Sequence, residues 1–168
     1  GDFSLFGPLY AHLGRDPWPR EHLIKPRTHL GAWLERMNEA PDDAGAFLAD
    51  DAIAPTLEPL LRAVFEESLA WLSGTLERAR PYLTRCGVLP RFLEPVALPM
   101  AGGTFVRPAM PYGLWMLQRL LDEWRSMAPD AAGQVRLWAA KYGAEGLFEL
   151  DMPRIQRRGL SITAEIEP

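Results

Sequence analysis

The stretch from Thr56 to Thr84 constrains the fold more than any other part of the chain. Leu57, Leu60, Leu61, Val64, Phe65, Leu69, Leu72 and Leu76 hold the period of one helical face. Arg62 and Glu66 lie one turn apart on the outer face and are expected to pair. Gly74 weakens the helix locally, and Pro81 is expected to kink or end it.

The character changes after that helix. Prolines at 90, 95, 99 and 108 rule out another long helix. Val96-Ala97-Leu98 and Thr104-Phe105-Val106 flank Ala101-Gly102-Gly103, which predicts a short β-hairpin near 93–107. Its prolines suit edge strands. Two helices follow. One runs from Pro111 to about Met127, with Leu114, Leu117, Leu121 and Trp124 on one side. The other ends near Tyr142, with Asp130 as its expected cap and Val135, Trp138, Ala139 and Tyr142 inward. The tail Leu160-Ser161-Ile162-Thr163-Ala164-Glu165-Ile166 alternates apolar and polar, as a strand joining the hairpin would.

Before the long helix, residues 2–13 are apolar nearly all round and read as a buried helix, with Pro8 bending it or lying in its first turn. Gly14, Pro17 and Pro19 stop it. A second helix, from Pro26 to Met37, carries the stripe Leu30, Trp33, Leu34 and Met37. The polar loop Glu39 to Gly45 is the best internal boundary. The expectation is therefore a mainly α chain with a small hairpin or short antiparallel sheet, divided into 1–45 and 46–168.

Bulk properties narrow the function. The 168 residues are 48% hydrophobic and 24% charged, which is ordinary for a globular chain. A net charge of −4 argues against general affinity for nucleic acid or anionic membranes. No apolar run nears the roughly 20 residues of a membrane helix, and no signal-peptide pattern is visible. The single cysteine, Cys86, permits neither an intrachain disulfide nor a thiolate metal cluster, and fits a reducing cytoplasm.

The first fifty residues resemble the end of the C-terminal helical domain of glutathione S-transferases. The likeness rests on Asp2-Phe3-Ser4-Leu5-Phe6-Gly7-Pro8-Leu9-Tyr10-Ala11-His12-Leu13, the proline-rich break, and Pro26, Leu30, Ala32, Trp33, Arg36 and Met37. Residues 51–168 are similar to an extension on some bacterial members, most clearly over Arg107 to Arg119. The resemblance implies a helical bundle of the transferase C-terminal type. It makes Asp2 the acidic half of a Ser/Thr-x-x-Asp capping box whose other half would precede Gly1. It implies glutathione as co-substrate of the parent protein, bound mainly by an upstream thioredoxin-like domain that supplies the thiol-activating residue. No catalytic residue, cofactor or metal is therefore assigned here, and the chain alone is expected to be inactive. An apolar face left by missing partner helices would favour a homodimer.

Other residues carry little chemistry. Cys86 lies near a helix C-terminal end, which disfavours a thiolate. His12, His22 and His29 offer no His-x-x-x-His pair, and Asp42-Asp43 and Asp50-Asp51 read as a solvated loop and a helix start. Arg154, Arg157 and Arg158 form a basic cluster, either a solvated turn or an anion receiver. Six tryptophans suit either a core or an aromatic pocket. The candidate pocket is Arg107, Tyr112, Trp115 and Gln118 at a loop-to-helix junction, for a hydrophobic small molecule; the same residues can instead dock the hairpin on the helix. A non-catalytic helical binding or interaction domain for a hydrophobic ligand or a partner protein, independent of glutathione, is the alternative function.

Overall fold

The structure is a computed structural model that describes residues 2–39, 46, 48–49, 52–85, 87–100 and 103–165. The chain is mainly helical with small antiparallel sheets, and forms two compact units, Gly1–Asp51 and Ala52–Pro168. The Asp2 side chain, Cys86 and the acidic pairs 42–43 and 50–51 lie outside the description, so the expected Asp2 cap does too.

In the first unit, α1 (Asp2–Phe6) widens into a π-helical segment over Gly7–Gly14. Pro8 sits where the winding changes, because it has no N–H to return to the preceding turn. A short turn, α2 (Pro17–Pro19), leads through Arg20–Ile24 to α3 (Thr28–Glu39). The expected burial is not found over the described side chains 4–13; that of Phe3 lies outside the description. No residue of Gly7–Gly14 is buried, and Phe6, Leu9, Tyr10 and Leu13 are only half-buried. These short helices supply too little apolar neighbour surface to cover them. On α3 the predicted stripe is correct, with Leu34 buried and Leu30, Trp33 and Met37 half-buried.

In the second unit, α4 (Glu58–Arg85) is the spine, roughly 40 Å long at about 1.5 Å per residue. Pro81 does not end it; the helix continues one more turn to Arg85. Gly87 then adopts φ 66° and donates its N–H to the Tyr82 carbonyl at 3.0 Å, which closes the helix. Arg62 does not pair with Glu66 but donates to the Lys141 carbonyl at 3.1 Å, because α6 ends beside it. Only the later part of the apolar face is buried: Leu72 and Leu76 lie in the core, whereas Leu57, Leu60 and Val64 are exposed.

The predicted hairpin is present as β2 (Leu93–Met100) and β3 (Gly103–Ala109), following the short β1 (Val88–Leu89). Leu93 pairs with Ala109 and Val96 with Arg107, so Glu94 and Pro95 together oppose Pro108. This bulge lets Leu93, Val96 and Leu98 all face inward, where strict alternation from Leu93 would turn Pro95 inward instead. The hairpin lies against α4 at Gly74, where a Cβ would fall 2.6 Å from the Val96 Cγ1. The glycine that weakens the helix is the one that admits the sheet.

Next come α5 (Pro111–Ser126) and α6 (Pro129–Lys141). Asp130 does not cap α6. Ala128 occupies the cap, and Asp130 lies inside the first turn, where its charge meets the positive helix end. The tail strand β5 (Ser161–Ala164) exists but does not join the hairpin; it lies between β1 and β4 (Ile155–Arg158) in a separate sheet of order β1-β5-β4. The cause is local: Gly159, at φ 61°, opens a two-residue turn that pairs Arg158 with Ser161. One core joins Leu72, Leu76 and Ala79 of α4 to the hairpin, to Leu114, Leu117 and Leu121 of α5, and to Ile155 and Ile162. Each such fully buried aliphatic contributes about 1.5–3 kcal/mol.

Candidate ligand cleft

Four segments of the second unit meet around a cleft of about 470 Å³. Helix α4 provides Trp71. The end of β1 and its following turn provide Leu89, Pro90 and Arg91. The entry to α5 provides Met110, Pro111, Tyr112 and Gly113, and the β4–β5 hairpin provides Arg157, Leu160 and Ile162. The volume falls in the range of small-molecule sites.

The walls follow from local sequence. Pro111 starts α5 because its fixed φ and missing N–H suit a first helical position. Gly113, two residues on, makes room for indole: a Cβ there would stand 2.7 Å from Trp71 Cζ3. The Trp71 Nε1–H donates to the Pro108 carbonyl at 3.4 Å, and the Arg107 guanidinium lies 4.3 Å above the Trp71 ring. These contacts fix an indole that remains half-exposed.

Of the four residues singled out in the sequence, Tyr112 lines the cleft. Trp115 stands behind it, 5.4 Å from the Tyr112 ring. Arg107 lines a smaller recess of about 200 Å³ with Val64, Leu98 and Phe105, which shares only Trp71 with the cleft. Gln118 is buried and faces neither cavity. Its Nε2–H donates to the Ile155 carbonyl at 2.8 Å, and its Oε1 accepts the Ile155 N–H at 2.9 Å. That two-point clamp fixes β4 against α5, since breaking it would strand buried backbone groups.

The basic cluster divides. Arg154 donates to both Asp122 oxygens at 2.6 and 2.8 Å and to Glu165 at 3.3 Å. Its hydrogen bonds to Asp122, then the Asp122 charge, then the bond to Glu165, raise its pKa above the usual arginine value. Arg157 instead packs on aromatic faces, 5.8 Å from the Tyr112 centroid and 5.4 Å from that of Trp115, and its Nε–H donates to the Gly159 carbonyl at 2.7 Å. Among the described residues, no carboxylate lies within ion-pair distance of Arg157 or Arg91.

Sequence reading did not assign Trp71, Arg91 and Arg157 to one site. The signal for Arg157 was Arg158-Gly159-Leu160-Ser161 ahead of the alternating tail, a turn cue that places Arg157 beside Ile162. No comparable signal links Trp71 to Arg91, since only the tertiary fold joins them. Among the described residues, no three His, Cys, Asp or Glu side chains gather as a metal site, and no helix is long and apolar enough to cross a membrane. No protein-family model, curated protein or solved structure matches the chain.

Proposed function

We propose that the chain is the C-terminal helical part of a glutathione S-transferase-like protein, and that its own contribution is to bind a hydrophobic small molecule in the cleft beside α5. The cleft carries this reading: an apolar wall of Trp71, Leu89, Met110, Pro111 and Ile162 opens to solvent at a fixed indole. The family half rests on the sequence pattern of the first fifty residues. In that family the thiol-activating residue belongs to the thioredoxin-like domain, so the chain alone conjugates nothing.

Titration of tryptophan fluorescence with an apolar alcohol such as decanol tests the binding half. Saturable quenching is expected, and Trp71→Phe is expected to remove most of it. No saturable change would end the binding reading. Glutathione conjugation of an aryl halide by the chain alone would contradict the division of labour.

A second reading, a helical binding domain that works without glutathione, has one observation in its favour. The cleft and its core belong wholly to Ala52–Pro168, outside the stretch that carries the closer likeness. The parent open reading frame separates the two: an upstream thioredoxin-like domain favours the transferase, and its absence favours the independent domain.

A further inference from the structure

We infer that the cleft's ligand is an apolar molecule bearing a single acid group, a fatty or aryl carboxylate, with Arg157 and Arg91 receiving the carboxylate. This rests on the ligand-binding reading of the same cleft and specifies its chemistry.

The charge pattern is the first ground. The lining holds two guanidinium groups and no carboxylate, in a chain whose net charge is −4. Six cations elsewhere in the described residues are ion-paired: Lys25 with Glu21, Arg80 with Asp151, Arg136 with Glu145 and Glu149, Lys141 with Glu58, and Arg125 and Arg154 with Asp122. Arg91 and Arg157 have no such partner among the described residues, and both line the cleft.

The second ground is that Arg157 is held in place. Its Nε–H is used by Gly159, and its plane rests near Tyr112 and Trp115. The Nη groups have no protein acceptor among the described residues, so the fork that suits a carboxylate remains available. Two residues earlier, the Gln118 clamp pins Ile155 and with it the register of β4. A guanidinium ordered before the ligand arrives loses less side-chain freedom on binding.

The third ground separates a carboxylate from a phosphate dianion. The rest of the wall is apolar, and its two cations are solvent-exposed. A singly charged group loses less hydration beside such a wall than a doubly charged one. The apolar body then lies along Trp71, Met110, Pro111 and Ile162.

Calorimetric titration of the full chain with decanoate and decanol tests the inference. Decanoate is expected to bind tighter by on the order of fivefold at low salt, a size that exposed charge pairs support. The advantage is expected to shrink with added sodium chloride. Arg157→Gln is expected to abolish it without weakening decanol. Arg157→Lys retains charge without the fork and is expected to keep part of it, which separates charge recognition from a folding defect. Equal affinities for the two ligands, or an advantage that survives both Arg157→Gln and Arg91→Gln, would overturn the carboxylate assignment and leave the cleft reading standing. Binding of neither ligand would overturn both.

Discussion

The two units bury their apolar residues to very different extents. In Ala52–Pro168, helices α4 and α5 and two small sheets share one core, and Leu76, Leu114, Leu121 and Ile155 are each almost fully buried. In Gly1–Asp51, only Ile24 and Leu34 are buried among the described hydrophobic residues, while Trp18 is 63% exposed. The first unit is poorer in apolar residues, 21 of 51 against 59 of 117, and it also lacks a second layer. Three short helical pieces and α3 cannot surround one another as α4, α5 and the sheets do. An amphipathic pattern therefore establishes that a helix has an apolar face, but says nothing of how much of that face its own unit can cover.

The largest test of this contrast removes one core leucine from each unit. Leu114→Ala is expected to destabilise the second unit by about 2–5 kcal/mol, the usual cost of deleting a fully buried leucine. Leu34→Ala is expected to cost less, because the loosely covered site around it can collapse or hydrate. Hydrogen exchange on the full chain reads both. Amides of α4 and α5 should lose protection in the first variant, and amides of α3 should already exchange faster in the parent protein. Equal protection of α3 and α4 in the parent would break the comparison.

The same contrast explains what was legible in the sequence. Long periodic segments were readable: the stripe of α4, the hairpin bounded by its prolines, and α5 with Leu114, Leu117 and Leu121 inward. Pairing was not. The tail showed strand alternation, but alternation does not choose a partner, and Gly159 gave β5 to β4 and β1 instead of to the hairpin. Likewise Gln118 was placed in a pocket on its type and position, although its amide serves the backbone of Ile155. Tyr112 was legible because it stands at the loop-to-helix junction itself. Trp71 and Arg91 reach the cleft from elements far apart along the chain, and no spacing rule connects them.

Glycines sharpen the comparison at the next magnitude. Gly74 and Gly31 both lie inside α-helices, where alanine is intrinsically preferred by about 1 kcal/mol. Around Gly31 of α3, a Cβ would meet nothing within 4 Å. At Gly74 it would meet Val96, a buried β-branched side chain with little freedom to turn away. Gly31→Ala is therefore expected to stabilise its helix by about 0.5–1 kcal/mol. Gly74→Ala is expected to destabilise by about 1–3 kcal/mol through overpacking. Thermal or denaturant unfolding reads the signs, and a stabilising Gly74→Ala would mean that hairpin and helix part more easily than the buried Val96 indicates.

Charge gives the smallest effect and the one that separates the units by pH. Each has an exposed ion pair. Lys25 and Glu21 stand one turn apart in the first unit, whereas Lys141 and Glu58 join the end of α6 to the start of α4. The hydrogen bond to Glu58, then its charge, raises the Lys141 pKa above the ordinary lysine value. Its contribution is thus present below that ordinary value and lost as pH rises through the higher folded one. The hydrogen bond to Lys25, then its charge, lowers the Glu21 pKa below the ordinary carboxylate value. That contribution is present above the ordinary value and lost as pH falls through the lower folded one. Lys141→Met is therefore expected to lower second-unit stability slightly at neutral pH, and the difference from the parent should vanish in strong alkali. Glu21→Gln is expected to affect only local exchange around Arg20–Ile24, and that difference should vanish in acid. If Lys141→Met changed only local exchange and not the second unit's unfolding midpoint, the α4–α6 link would be no more than the local contact seen in the first unit.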